Sequence, residues 1–134
     1  MSASEALRAS VVARLKAALA LAVYDAPPVQ AAFPYALVET GVESDWGHKS
    51  GAGRELRLAL TLRDAGERPV RLRALIDAVE AALAEPPEAE GWQIVTFAWL
   101  RSRTVRDGRA PAPVEWSGLV EYRARMLALP PGGG

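Results

Sequence analysis

The sequence predicts an α+β domain in which four strands form a mainly antiparallel sheet and two helices pack on one of its faces. Three observations carry that prediction. Leu56, Leu58, Leu60 and Leu62 alternate with Arg57, Ala59, Thr61 and Arg63, the period of a strand with one buried side. Two other segments repeat apolar residues every three or four positions, as a helical stripe does. Short links join the strand pairs, which favours hairpins and hence an antiparallel sheet.

The elements follow in the order α-β-β-α-β-β. The first helix is "SASEALRASVVARLKAALALAVYD". Leu7, Val11, Leu15 and Ala18 or Leu19 form its stripe, Ser2 or Ser4 can cap it, and Pro27-Pro28 forbids continuation. A strand over Tyr35–Val42 is rich in β-branched and aromatic residues. The stretch "SDWGHKSGAGRE", residues 44–55, predicts a long flexible hairpin loop ahead of the leucine strand.

Pro69 suits the first turn of the second helix, whose inner stripe is Leu72, Leu75, Ile76, Val79 and Leu83, and "EPPEAEG" ends it. The third strand, "WQIVTFAWLRSRTVRD", is apolar on both sides. Strict alternation puts Trp92, Ile94, Ala98 and Leu100 on one side and Val95, Phe97 and Trp99 on the other. "GRAPAP" turns the chain. The last strand sets Val114, Trp116, Val120, Tyr122 and Met126 against Glu115, Glu121, Arg123 and Arg125. The sheet face away from the helices then carries Arg57, Arg63, Phe97, Trp99, Arg101 and Arg103. The tail "PPGGG" is expected to be disordered.

Composition narrows the function. The 134 residues fit a single domain, 1–134, and half of them are hydrophobic. Sixteen basic and sixteen acidic residues cancel, whereas a dedicated nucleic-acid binder carries a basic excess. Cysteine is absent, which removes disulfides, thiolate metal sites and cysteine nucleophiles. The apolar N-terminal stretch is interrupted by Arg14 and Lys16, and no run reaches membrane-spanning length, so a soluble cytoplasmic protein is expected.

The 44–55 stretch holds the only histidine. It is a poor phosphate loop, because Lys49 precedes Gly51 and Gly53 and a strand follows where a helix is needed. His48 as a general base needs an orienting acid and a pocket, and a flexible loop supplies neither. The Asp45, His48 and Ser50 trio has no strand elbow or helix start to present its serine. One histidine without cysteine leaves only carboxylates with no ligand spacing. No catalytic, metal or cofactor residue is therefore expected. Trp92, Trp99 and Trp116 are read as core or subunit contacts before they are read as base-stacking groups.

The order of segments resembles the tail-terminator, or tail-completion, family of long-tailed phages and phage-derived gene transfer agents. Asp45-Trp46 stands before the loop, Gly53-Arg54-Glu55 enters the leucine strand, and "LRSRTVRD" is followed by a closing strand with "VEYRAR"; the likeness runs from Leu7 to Leu127. It implies a hexameric ring on the head-proximal end of the tail tube. Such a ring stops tube polymerisation, meets the head-side connector or stopper, and passes double-stranded DNA through its channel, with no cofactor, substrate or membrane. The protein would wait in the cytoplasm and end at the head–tail junction of the particle. The neutral charge suits a channel through which DNA slides. Asp45, Trp46, His48, Lys49 and Arg54 are then a docking loop for the adjacent ring, and Phe97, Trp99, Arg101 and Arg103 are the ring interface. The alternatives are another connector component or a small ligand-binding α/β domain.

Overall fold

Ser2 opens the first helix, α1 (Ala3–Ala18), in a computed structural model that describes residues 1–49, 51–107 and 113–131. Its hydroxyl accepts from the Glu5 amide at 3.1 Å, and the Glu5 carboxylate accepts from the Ser2 amide at 3.4 Å. This capping box satisfies two donors that the helix start leaves free. Ala3, Ala6, Leu7, Val11 and Leu15 are its buried residues. The helix expected to reach Asp25 stops at Ala18 instead. Lys16, Ala17 and Ala18 are all exposed, so no contact with the core extends the helix, and Leu19 is already extended. Ala22–Tyr24 forms a short strand, β1, with Val23 buried; a β-branched residue beside an aromatic one suits a pleated surface.

The remaining elements are β2 (Tyr35–Asp45), β3 (Gly53–Ala65), α2 (Val70–Ala82), β4 (Trp92–Asp107) and β5 (Glu115–Ala128). The sheet order is β1-β2-β3-β5-β4. β1 lies parallel to β2 and the other pairs are antiparallel. The sheet thus has five strands, one pair of them parallel, where four strands in a mainly antiparallel sheet were expected. Residues 108–112 of the "GRAPAP" turn and 132–134 of the tail lie outside the described residues.

Strand β3 is the middle of the sheet. Its four leucines are at most 1% exposed. Directly paired residues share a face, so the leucines continue into Ala36 and Val38 on β2 and into Val120, Tyr122 and Ala124 on β5, with Met126 next in the same row. Both helices cover that one face: α1 meets β1, β2 and β3, and α2 meets β3, β4 and β5. The Ser4 and Thr40 hydroxyls share a hydrogen bond of 2.8 Å between α1 and β2. Arg14 donates to the Ala82 carbonyl at 3.0 Å, tying α1 to the last turn of α2, where free carbonyls welcome a cation. Gly118 on β5 lets α2 settle, because a Cβ there would stand 2.7 Å from Ile76 Cδ1.

Two bulges in β4, at Ile94/Thr96 and Trp99/Arg101, break the strict alternation. Each sets an extra residue against β5 and shifts the following side chains to the other face. Ile94, Phe97 and Trp99 pair with Met126, Ala124 and Tyr122 on the helix side, whereas Ala98, Arg101 and Arg103 pair with Arg123, Glu121 and Leu119 on the bare side. The expected bare face is corrected accordingly: Arg57, Arg63, Arg101 and Arg103 belong to it, and Phe97 and Trp99 do not. The expected Trp92–Ile94–Ala98–Leu100 row is likewise split.

The leucine series ends in a charge. Asp64 takes the next inward position and is 3% exposed. Arg71, in the first turn of α2, donates to it through Nε at 2.7 Å and through Nη2, and the Ala65 amide donates at 2.8 Å. The Arg71 hydrogen bonds hold this carboxyl below its ordinary value of 3.8 against the opposing effect of burial, helped by Ala65. A depressed folded-state value contributes stability that is complete above the unfolded value and is lost as pH falls through the folded one. Asp64→Asn should therefore lower stability at neutral pH by about 1–3 kcal/mol. In a urea-unfolding series the gap from wild type should shrink as pH falls below the ordinary carboxylate range.

Candidate functional site

Backbone pairing of the β2–β3 hairpin continues into the stretch read as a long loop. The ladder runs on through Asp45 opposite Arg54, the Trp46 amide donates to the Gly53 carbonyl at 2.9 Å, and His48 and Gly51 exchange two backbone hydrogen bonds at 2.9 and 3.1 Å. Glycine is required at position 53 by close approach: a Cβ there would meet the Trp46 carbonyl oxygen at 2.4 Å. The Trp46 ring is half-buried, His48 meets it edge-on with centroids 4.7 Å apart, and the Arg125 guanidinium lies 5.7 Å from its centre. Arg125 also donates to Glu55 at 2.8 Å.

Of the five residues predicted for docking, Trp46 and His48 therefore pack together, while Asp45, Lys49 and Arg54 are exposed. Ser50, the third member of the Asp45, His48 and Ser50 trio, lies outside the described residues. Arg125 is the partner that sequence reasoning missed at this site. Its contact depends on β5 lying beside β3, which no local period announces.

The bare sheet face is a lattice of charges. Arg63 bonds Glu115 at 2.9 Å, Arg101 bonds Glu121 at 2.9 Å, and Ser117 donates to Asp107 beside them. Arg57 and Arg123 stand directly opposite each other on the ladder, and neither makes an ion pair among the described residues. Their charges reach Glu55, whose carboxyl is held below its ordinary value first by the Arg125 hydrogen bond and then by the three nearby arginines. The Nε of Arg123 is buried without a hydrogen-bond partner. Shallow hollows on this face are lined by Arg57, Arg101, Arg103 and Glu121.

The edge strand β4 holds the four residues predicted for the ring interface, but on different sides. Phe97 is half-buried and stacks on Tyr122 at 4.8 Å. Trp99 is 53% exposed on the helix side and donates to Ser102 at 2.9 Å. Arg101 and Arg103 extend from the bare side. Tyr122, pushed up to about 12 mainly by burial, is a core phenol under Phe97. Among the described residues no group of three or more His, Cys, Asp or Glu side chains could hold a metal, and no helix is long and apolar enough to cross a membrane.

The sequence profile described as Tail completion protein gp17 matches residues 4–127. Among solved structures, a chain of the "Virion of native gene transfer agent (GTA) particle" is similar at 27% identity and a TM-score of 0.65, covering 96% of this chain and 100% of that one. No curated protein matches the chain.

The close approach at Gly53 makes the hairpin end testable. Gly53→Ala should cost about 1–3 kcal/mol by overpacking and shift the indole NMR signal of Trp46 while leaving that of Trp116 in place. Gly51→Ala is the control: no atom lies within 4 Å of a Cβ there, so stability should move by no more than about 0.5 kcal/mol.

Proposed function

The chain belongs to the tail completion protein gp17 family, and on that premise we propose that it closes the head-proximal end of a tail tube as a hexameric ring. It is a structural component of the virion tail and not an enzyme. The ring stops tube growth, meets the head-side connector or stopper, and leaves a channel for double-stranded DNA. The observation that carries this reading is the free edge of β4, sixteen residues long. Its outer backbone groups offer hydrogen bonds to a neighbour, and Trp99 lies exposed beside them. A surface that one copy presents and the next copy fills repeats until the rotation closes.

The hairpin end supports the second contact of a cap, the one to an adjacent ring. Trp46 is already braced by His48, Gly53 and Arg125, so docking there orders little that was mobile before. Asp45, Lys49 and Arg54 stay free to meet charges on the tube or stopper.

Removal of the chain from a particle-producing cell should leave tube formation intact and yield tails that are overlong or lack heads, as counted by electron microscopy. Trp99→Glu should fold, with an unchanged circular dichroism spectrum, yet fail to form rings by mass photometry. Burial of such an aromatic contributes about 2 kcal/mol at each subunit contact. Rings of normal size from this variant would remove the β4 edge from the interface.

A further inference from the structure

The chain is neutral as a whole but strongly divided in space. From Ala74 to Leu100 there are five acidic residues and no basic one. Three of them, Glu85, Glu88 and Glu90, sit exposed on the connection between α2 and β4 and make no ion pair among the described residues. That connection is held in place. Pro86 and Pro87 stiffen it, Arg14 donates to the Glu85 carbonyl at 3.4 Å, and Leu129 donates to the Gly91 carbonyl at 3.0 Å. Its carboxylates are therefore presented on a fixed scaffold.

The bare sheet face has the opposite need. Arg57 and Arg123 oppose each other and, like Arg103, make no ion pair among the described residues, and the Nε of Arg123 is buried with no hydrogen-bond partner. Like charges directly across a ladder destabilise it, and Glu55 and Glu121, each bonded to another arginine, offset only part of this. We propose that the Glu85–Glu90 connection of one copy docks on the Arg57, Arg103 and Arg123 patch of the next copy. The inference rests on the ring reading and adds a second contact between neighbouring copies to the one at the β4 edge. Two different patches on one chain make a head-to-tail interface, the kind that builds rings. A continuous phosphate backbone fits this face less well, because Glu55 and Glu121 stand among the arginines and repel it, whereas separate carboxylates fit between them.

The absence of cysteine makes a clean test possible. Ala98→Cys places a thiol on the bare face opposite Arg123, and Ala84→Cys places one beside the acidic connection. Mixed and treated with a short bis-maleimide, these two variants should give about tenfold more adduct than Ala98→Cys mixed with the exposed control Ala20→Cys, as complementary charge favours the correct encounter. Glu85→Lys/Glu88→Lys in the Ala84→Cys chain should abolish the excess, and Arg57→Glu/Arg123→Glu in the other chain should restore it. An adduct equal to the control overturns the proposal, as does one indifferent to charge reversal or one dominated by two Ala98→Cys chains. Loss of duplex-DNA retention on Arg57→Glu/Arg123→Glu, with cross-linking unchanged, assigns the face to DNA and also overturns it. Rings that form without the specific adduct refute this contact and leave the ring reading standing. A specific adduct in a chain that does not limit tail length does the reverse.

Discussion

The leucine row of β3 is the contact on which the rest of the structure depends. Four leucines, each essentially sealed from water, contribute about 1.5–3 kcal/mol apiece by burial. They form the strip that both helices share, since α1 and α2 each touch β3 from the same side. The opposite face then follows from the pleat alone, because every residue between two leucines must point away. A slip of one residue would put arginine under the helices. The register is held at both ends, by the close fit of Gly53 under Trp46 and by the Asp64–Arg71 pair.

What was legible in the sequence was whatever is local. The helical stripes, the leucine alternation and the extent of β4 follow from short periods within a segment, and the placing of both helices on one face follows from the short links between strands. Strand β1 was hidden because three residues carry no period, and its pairing is with a parallel strand farther along the chain. The bulges of β4 were hidden for a different reason. They arise from two residues meeting one on β5, and neither Val95 nor Leu100 is a residue type that marks a bulge. Asp64 was missed although a signal existed: it continues the even-numbered leucine series, which gives its inward direction and hence its need for a cation. The pairing at the hairpin end was hidden because its glycines suggested freedom. Gly53 is there for close approach, and the Arg125 that braces Trp46 comes from a strand far away in sequence.

The bulges also explain how one strand serves two surfaces. Before the second bulge β4 sends Phe97 and Trp99 to the helix side; after it Arg101 and Arg103 emerge on the bare side. Phe97 stacks on the core phenol, Trp99 reaches past the helices into solvent, and the arginines join the charged lattice. An unbroken strand would have placed aromatic and guanidinium groups in one plane, and the core would have lost its aromatic border at the edge.

An unpaired strand of this length is also a template on which unfolded or neighbouring chains could stack indefinitely. Each bulge interrupts the even spacing of backbone donors and acceptors along β4 and adds twist, so a flat second strand meets only short stretches in phase. Arginines at 101, 103 and 106 add charge that successive identical strands would have to bring together. The edge is consequently selective. A strand added there has to follow its curvature and to meet its arginines with opposite charge.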